Sequence, residues 1–141
     1  MNSELSAEAY ILDSFALMDY LENEVSGEQV TRILRKATAG EIHAYFSLIN
    51  YGECLYIIER EQGLTKAQEM IAVVDQLPIE VVPVDRLRIF AAAHIKAHYS
   101  LSYADAFVVA LAQEFNATVI TGDPEFRQVE NSVSILWLPQ S

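Results

Sequence analysis

Tyr10-Ile11-Leu12 is a short apolar run, and the polar pair Asp13-Ser14 separates it from the more apolar stretch Phe15 to Leu21. That order fits a buried strand followed by a helix, with Asp13 or Ser14 accepting from the first free helical N–H groups. Val30, Ile33, Leu34 and Ala37 repeat at helical spacing, and Gly40 is the kind of residue that ends such a helix. His43 to Phe46 reads as a second strand, and Ser47 caps a helix running through Tyr51, Leu55 and Ile58 to about Arg60. Thr65 opens another amphipathic helix, carrying Ala67, Met70, Ile71 and Val74. Glu80 to Val84 is a third strand, Arg86 to His98 and Tyr103 to Phe115 are helices, Thr118 to Thr121 is a fourth strand and Val133 to Leu138 a fifth. Residues 1–8 read as a flexible lead-in to one domain over residues 9–141.

Strands separated by helical stretches predict an α/β fold, with a parallel sheet covered on both faces. In such sheets polar sites form beyond the carboxyl ends of the strands, where strand order reverses. Four acids are placed to meet there. Asp13 follows the first strand, and Asp123, within Thr121-Gly122-Asp123-Pro124-Glu125-Phe126, follows the fourth. Glu53 interrupts the apolar side of the helix after the second strand, and Asp105 lies in the first turn of its own helix. Gathered carboxylates repel and raise one another's pKa unless a cation compensates them. The pattern therefore points to a divalent-metal site. Each acid also has an ordinary structural use: Asp13 and Asp123 are good helix caps, Pro124 suits a first helical position, and Ser102 with Asp105 resembles a capping box.

Composition narrows the class. The chain has 141 residues and is 52% hydrophobic, enough for one well-buried core and too short for two typical domains. No run approaches the roughly 18 apolar residues of a membrane span, and the acidic N-terminus does not read as a signal peptide, so a cytosolic protein is expected. The single Cys54 excludes an internal disulfide and reads as a buried, inert thiol. A net charge of −11 argues against a broad basic surface for nucleic acid. Arg32, Arg35 and Lys36 on one helix, and Arg86, Arg88 and Lys96 on another, read as solvated faces. Acidity still permits a polyanionic substrate, because bound cations invert the electrostatics of a carboxylate site.

Other constellations carry less. His94 and His98 stand at i, i+4 but lack the Glu that follows the first His of a zinc-protease helix, so they read as surface neighbours. His43 stands alone, and no Gly-x-Gly-x-x-Gly or Walker-type loop occurs. A receiver-type phosphoacceptor domain would want a Lys near where Asp123 stands.

Leu-Asp-Ser at 12–14, Asn-Tyr-Gly-Glu at 50–53, Leu-Ser-Tyr-Ala-Asp-Ala at 101–106 and Thr-Gly-Asp-Pro-Glu-Phe at 121–126 form an ordered set. It resembles the motifs of PIN-domain nucleases, and most nearly those of VapC-type toxins of toxin–antitoxin modules. The resemblance runs from Tyr10 to Leu138 and implies a parallel sheet of order 3-2-1-4-5 with the acids at its carboxyl edge. It further implies that Asp13, Glu53, Asp105 and Asp123 hold Mg²⁺ or Mn²⁺ and that Thr121 supports them, with Ser14, Asn50 and Glu125 at the edge of the site. Carboxylate oxygens are hard ligands suited to those ions, which activate water and stabilise the leaving oxygen of a phosphodiester. The implied activity is a metal-dependent endoribonuclease acting on RNA, held in check by a cognate antitoxin and working as a homodimer; the net charge of −11 suggests that the antitoxin's binding segment is basic. The competing expectation is a PIN-like module that binds RNA or protein without cutting.

Overall fold

A computed structural model describes residues 8–22 and 27–139. Of the lead-in expected over residues 1–8, residues 1–7 lie outside the described residues, and Glu8 opens the first strand. The chain runs β1 (Glu8–Leu12), α1 (Ser14–Leu21), α2 (Gly27–Thr38), β2 (Ile42–Ser47), α3 (Leu48–Gln62), α4 (Leu64–Val74) and β3 (Glu80–Val82). It continues through α5 (Arg86–His98), α6 (Tyr103–Phe115), β4 (Thr118–Thr121), a 3₁₀ helix (Pro124–Val129) and β5 (Ile135–Trp137). Every strand pair is parallel, and the order is β3-β2-β1-β4-β5.

Two strands are shorter than the apolar pattern implies. β3 ends at Val82 because Pro83 has no N–H to continue the ladder. β5 is confined to Ile135–Trp137, although its flanks still bond to β4 through Val119 N–H to the Ser134 carbonyl and Leu138 N–H to that of Thr121.

Alternation along the central strands sorts side chains between two cores. Ile11 and Val119 join the core beneath α5 and α6, while Leu12 and Ile120 join the core beneath α1 to α4. α6 is unusual in being buried at every position from Ala104 to Ala112. Its alanines at 104, 106, 110 and 112 keep it slim enough to sit between the sheet and α5. Asn116 takes the left-handed conformation and ends it.

The consequence for a site follows from topology. β1 and β4 are neighbours at the centre, and from them the sheet is built outward in opposite directions, to β2 and to β5. Their carboxyl ends flank the switch point. The Asp13 N–H, donating to the Ile120 carbonyl at 3.2 Å, stitches the first residue beyond β1 to β4 there. Among the described residues no helix is long and apolar enough to cross a membrane.

Candidate metal centre

Asp13 is buried and serves as the N-cap of α1, its Oδ1 accepting from Ala16 N–H at 2.8 Å. Its Oδ2 accepts from the Thr121 hydroxyl, and that hydroxyl oxygen accepts in turn from Asp123 N–H at 2.9 Å. Thr121, itself fully buried, thus joins the acid after β1 to the acid after β4. Asp123 caps the 3₁₀ helix that Pro124 begins, accepting from Glu125 N–H at 2.9 Å. Ser102 caps α6 by accepting from Asp105 N–H at 3.1 Å, which leaves the buried Asp105 carboxylate at the positive end of that helix. The capping uses expected of these residues are real, and they bring the acids together. Cap and cluster are one arrangement.

Asp105, Asp123 and Glu125 each offer a carboxylate oxygen within 4.8 Å of the others. Asp13 is electrostatically coupled to Asp105 and Asp123, and Asp105 to Glu53 as well. Asp13 and Glu53 stand outside that close group; Glu53 lies on α3, acts on Asp105 electrostatically, and accepts from the Ser14 hydroxyl through Oε1 at 2.6 Å. The cluster grades outward, from buried Asp13 and Asp105 through partly exposed Asp123 and Glu53 to exposed Glu125. Glu125 is more central than its sequence reading implied. The cue was available: two residues beyond Asp123, in a helix that Pro124 starts, its side chain returns to the acid that caps it.

The acids are held against their ordinary ionisation. Burial pushes the Asp13 carboxyl up to about 8; the hydrogen bonds from Thr121 and Ala16 pull it down, and the charges of Asp105 and Asp123 push it up again. Asp105 is raised to about 7, first by burial and then by the charge of Asp123, with Ser102 opposing and Glu53 and Glu125 adding to the rise. Among the described residues the ion pairs are Arg60–Glu61, Lys66–Glu69, Arg88–Asp85 and Arg88–Glu114. None of them reaches the cluster. An all-oxygen donor set with no lysine or arginine paired to it among the described residues fits a hard divalent cation such as Mg²⁺ or Mn²⁺.

A family model for the PIN domain matches residues 10–131. The chain belongs to the PIN-domain family. No curated protein sequence matches it. Among solved structures, this PIN domain is similar to VapBC2 from Rickettsia felis bound to a DNA fragment from its promoter, with 14% identity, a TM-score of 0.73, and 93% of this chain and 99% of that one covered. DNA-bound VapBC from Salmonella typhimurium matches at 14% identity and TM-score 0.71, over 92% and 97% of the two chains. VapC20 from Mycobacterium tuberculosis, a sarcin-ricin loop cleaving toxin, matches at 15% identity and TM-score 0.60, over 79% and 87%. At such identities the likeness establishes the fold.

The other expectations fall as follows. Cys54 is fully buried and burial pushes its thiol up to about 12, the behaviour of an inert core residue. His94 and His98 lie with ring centroids 4.7 Å apart on the exposed side of α5. Arg32, Arg35 and Lys36 are exposed on α2, as a solvated face requires.

Proposed function

We propose that this PIN domain is a metal-dependent endoribonuclease and the toxin of a toxin–antitoxin pair. One observation carries the reading: the carboxylates of Asp105, Asp123 and Glu125 meet at the switch point of the sheet, Asp13 and Glu53 are near enough to act on them electrostatically, and no lysine or arginine is paired to any of the five among the described residues. Asp105 and Asp123 hold the ion together with Glu53 and Asp13, and Glu125 extends the ligand set outward. Thr121 acts through others, fixing the Asp13 carboxylate and the backbone of Asp123 at once. A bound Mg²⁺ or Mn²⁺ supplies activation of water and stabilisation of the leaving oxygen in phosphodiester hydrolysis. No side-chain nucleophile is then needed. Burial of Asp13 and Asp105 keeps the charge of the ion poorly screened, while exposed Glu125 marks the side open to a polymer.

VapBC is a family of toxin–antitoxin systems, and two features of this chain favour a partner of that kind. The net charge of −11 suits a basic segment, from which an Arg could form charge-assisted hydrogen bonds with Asp13 or Asp123 and compete with metal. Between α1 and the pair α3–α4 lies an apolar groove lined by Met18, Leu21, Ile58, Met70 and Val73, suited to a partner helix. For a homodimer, the exposed Leu87 and Phe90 of α5 are the surface to bury. A cytoplasmic location is part of the same proposal.

The test is cleavage of single-stranded and structured RNA by the purified chain with Mg²⁺ or Mn²⁺, and again with EDTA. Expected are metal-dependent cuts and growth inhibition when the chain is expressed without its antitoxin. Tight Mn²⁺ binding without any RNA cleavage would replace this reading by that of a non-cutting binding module.

A further inference from the structure

α3 buries a polar residue among apolar neighbours. Asn50 is fully buried, on the same helix as the buried Tyr51 and Cys54. Its amide nitrogen donates to the Ser14 hydroxyl at 3.0 Å, and that hydroxyl donates to Oε1 of Glu53 at 2.6 Å. The Asn50 carbonyl oxygen is buried with no partner among the described residues. A leucine at position 50 would spare the chain an unpaired buried oxygen, so packing alone does not account for the amide.

Proton counting does. A hydroxyl has one proton and two lone pairs, so a donor on its oxygen sends the proton elsewhere. With the Asn50 amide nitrogen on Ser14, the hydroxyl proton goes to Glu53, its acceptor at 2.6 Å among the described residues. Turned over, the amide would offer Ser14 its oxygen, and the hydroxyl would have two acceptors for one proton. Glu53 has three side-chain torsions, is partly exposed, and pairs with no cation among the described residues. Left alone it would roam. Ser14 begins α1 directly after Asp13, and Asn50 stands one helical turn before Glu53, so the chain of donors ties the helices after β1 and β2 together at the cluster.

We propose that Asn50 and Ser14 are positioning residues: the relay from the Asn50 amide through the Ser14 hydroxyl holds Oε1 of Glu53 and leaves Oε2 for the divalent cation. This rests on the reading of the acids as a metal site. Neither residue touches the ion. Their effect is to place Glu53 before metal arrives, so that binding need not freeze a roaming side chain.

The experiment is calorimetric titration of the metal-free full chain with Mn²⁺, together with thermal melts, for wild type, Ser14→Ala, Ser14→Thr, Asn50→Leu, the Ser14→Ala/Asn50→Leu double variant and Asp105→Asn. Loss of a partner that orients a metal ligand typically weakens metal binding by about 10- to 100-fold, and Ser14→Ala should fall in that range. Ser14→Thr should recover most of the affinity. Asn50→Leu should weaken Mn²⁺ several-fold even where its melting temperature is unchanged or higher, a split that a merely structural residue does not give. Because Asn50 acts only through Ser14, the double variant should bind like Ser14→Ala alone. If Ser14→Ala does not fold, Asn50→Leu and Ser14→Thr carry the comparison. Loss of Mn²⁺ binding in Asp105→Asn, with Asn50→Leu and the serine variants binding as wild type, would overturn the relay and keep the metal site. Unchanged binding in Asp105→Asn would overturn the metal site and the relay with it.

Discussion

Two groups of acids in this protein meet opposite fates. Asp85 and Glu114 share Arg88: its Nε and Nη2 donate to the two Glu114 oxygens at 3.1 and 2.9 Å, and Asp85 Oδ2 lies 3.4 Å from Nη1. One guanidinium compensates part of that charge within the chain, at the end of α6 remote from Asp105. Asp13, Glu53, Asp105, Asp123 and Glu125 gather at the other end of the same helix and have hydroxyls, backbone N–H groups and one another, with no cation among the described residues. Residue type is the same in both groups. The compensating charge is what differs: where the chain provides none, buried Asp13 and Asp105 are pushed above their ordinary carboxylate range.

The contrast is broken most directly by neutralising one acid in each group. If the proposed metal site is right, Asp105→Asn and Asp123→Asn should fold and yet lose RNA cleavage by more than the roughly 10- to 100-fold attached to supporting partners, because each would then remove a ligand. Glu114→Gln should cut as wild type. Single-turnover cleavage with Mn²⁺ makes the comparison, and near-normal rates in both aspartate variants would sink the assignment.

Protons and metal sharpen it next. In the metal-free protein Asp13 is raised to about 8 and Asp105 to about 7, so the folded chain holds protons that the unfolded chain releases near pH 4. Their stabilising contribution is complete below about pH 4 and is lost as pH rises through the folded values. Melting temperature without metal should therefore fall between about pH 4 and 8. Mn²⁺ at 100 times its dissociation constant should restore about 2.7 kcal/mol near neutrality. Asp13→Asn removes the charge and keeps an oxygen for the Ala16 N–H, although its amide nitrogen cannot accept from the Thr121 hydroxyl: its pH profile should be flatter and its gain from metal smaller. An unchanged metal response would reduce Asp13 to a cap.

Gly122 allows the cluster to be disturbed without touching an acid. A Cβ there would stand 2.3 Å from Cε1 of Phe15, so Gly122→Ala must push the ring or the Thr121–Asp123 backbone aside. Overpacking of this kind destabilises by about 1–3 kcal/mol. Denaturant melts should register that loss, and Phe15→Leu in the same chain should recover part of it along with Mn²⁺ affinity. No recovery would place the strain elsewhere.

Much of this architecture was legible because it rests on local signals. Arg86–His98, Tyr103–Phe115 and Thr118–Thr121 coincide with their apolar periodicity, and Asp13, Ser47 and Ser102 cap the helices they precede. The meeting of Asp13 with Asp123 was legible only on condition that the first and fourth strands are neighbours, which no local pattern dictates and the order β3-β2-β1-β4-β5 supplies. Side-chain hydrogen bonds between distant residues left no such trace. The Asn50–Ser14–Glu53 relay depends on which way one amide points, and the steric need for Gly122 depends on a ring 107 positions earlier. Glu125 was visible as an acid, but its nearness to Asp105 required the turn of the 3₁₀ helix.

The smallest expected effect comes from the group that shares Arg88. The Arg88–Glu114 pair has bidentate geometry, and the guanidinium also lies over the Phe115 ring with its carbon 5.7 Å from the centroid. Glu114 is 42% exposed, so water and salt screen the attraction, and pairs of this class contribute about 0.2–1 kcal/mol. Glu114→Gln should therefore lower stability by less than about 1 kcal/mol, and the loss should shrink further at high ionic strength as screening tightens. It should leave Mn²⁺ affinity unchanged. Arg88→Ala should be worse than Glu114→Gln, because it removes the stem's packing and the donor to the Pro83 carbonyl as well. Chemical denaturation at two salt concentrations, beside Mn²⁺ titrations of the same samples, measures both quantities. A change of metal affinity in Glu114→Gln would mean that the two groups of acids are coupled along α6 and that the division between them is not the one the ion pairs draw.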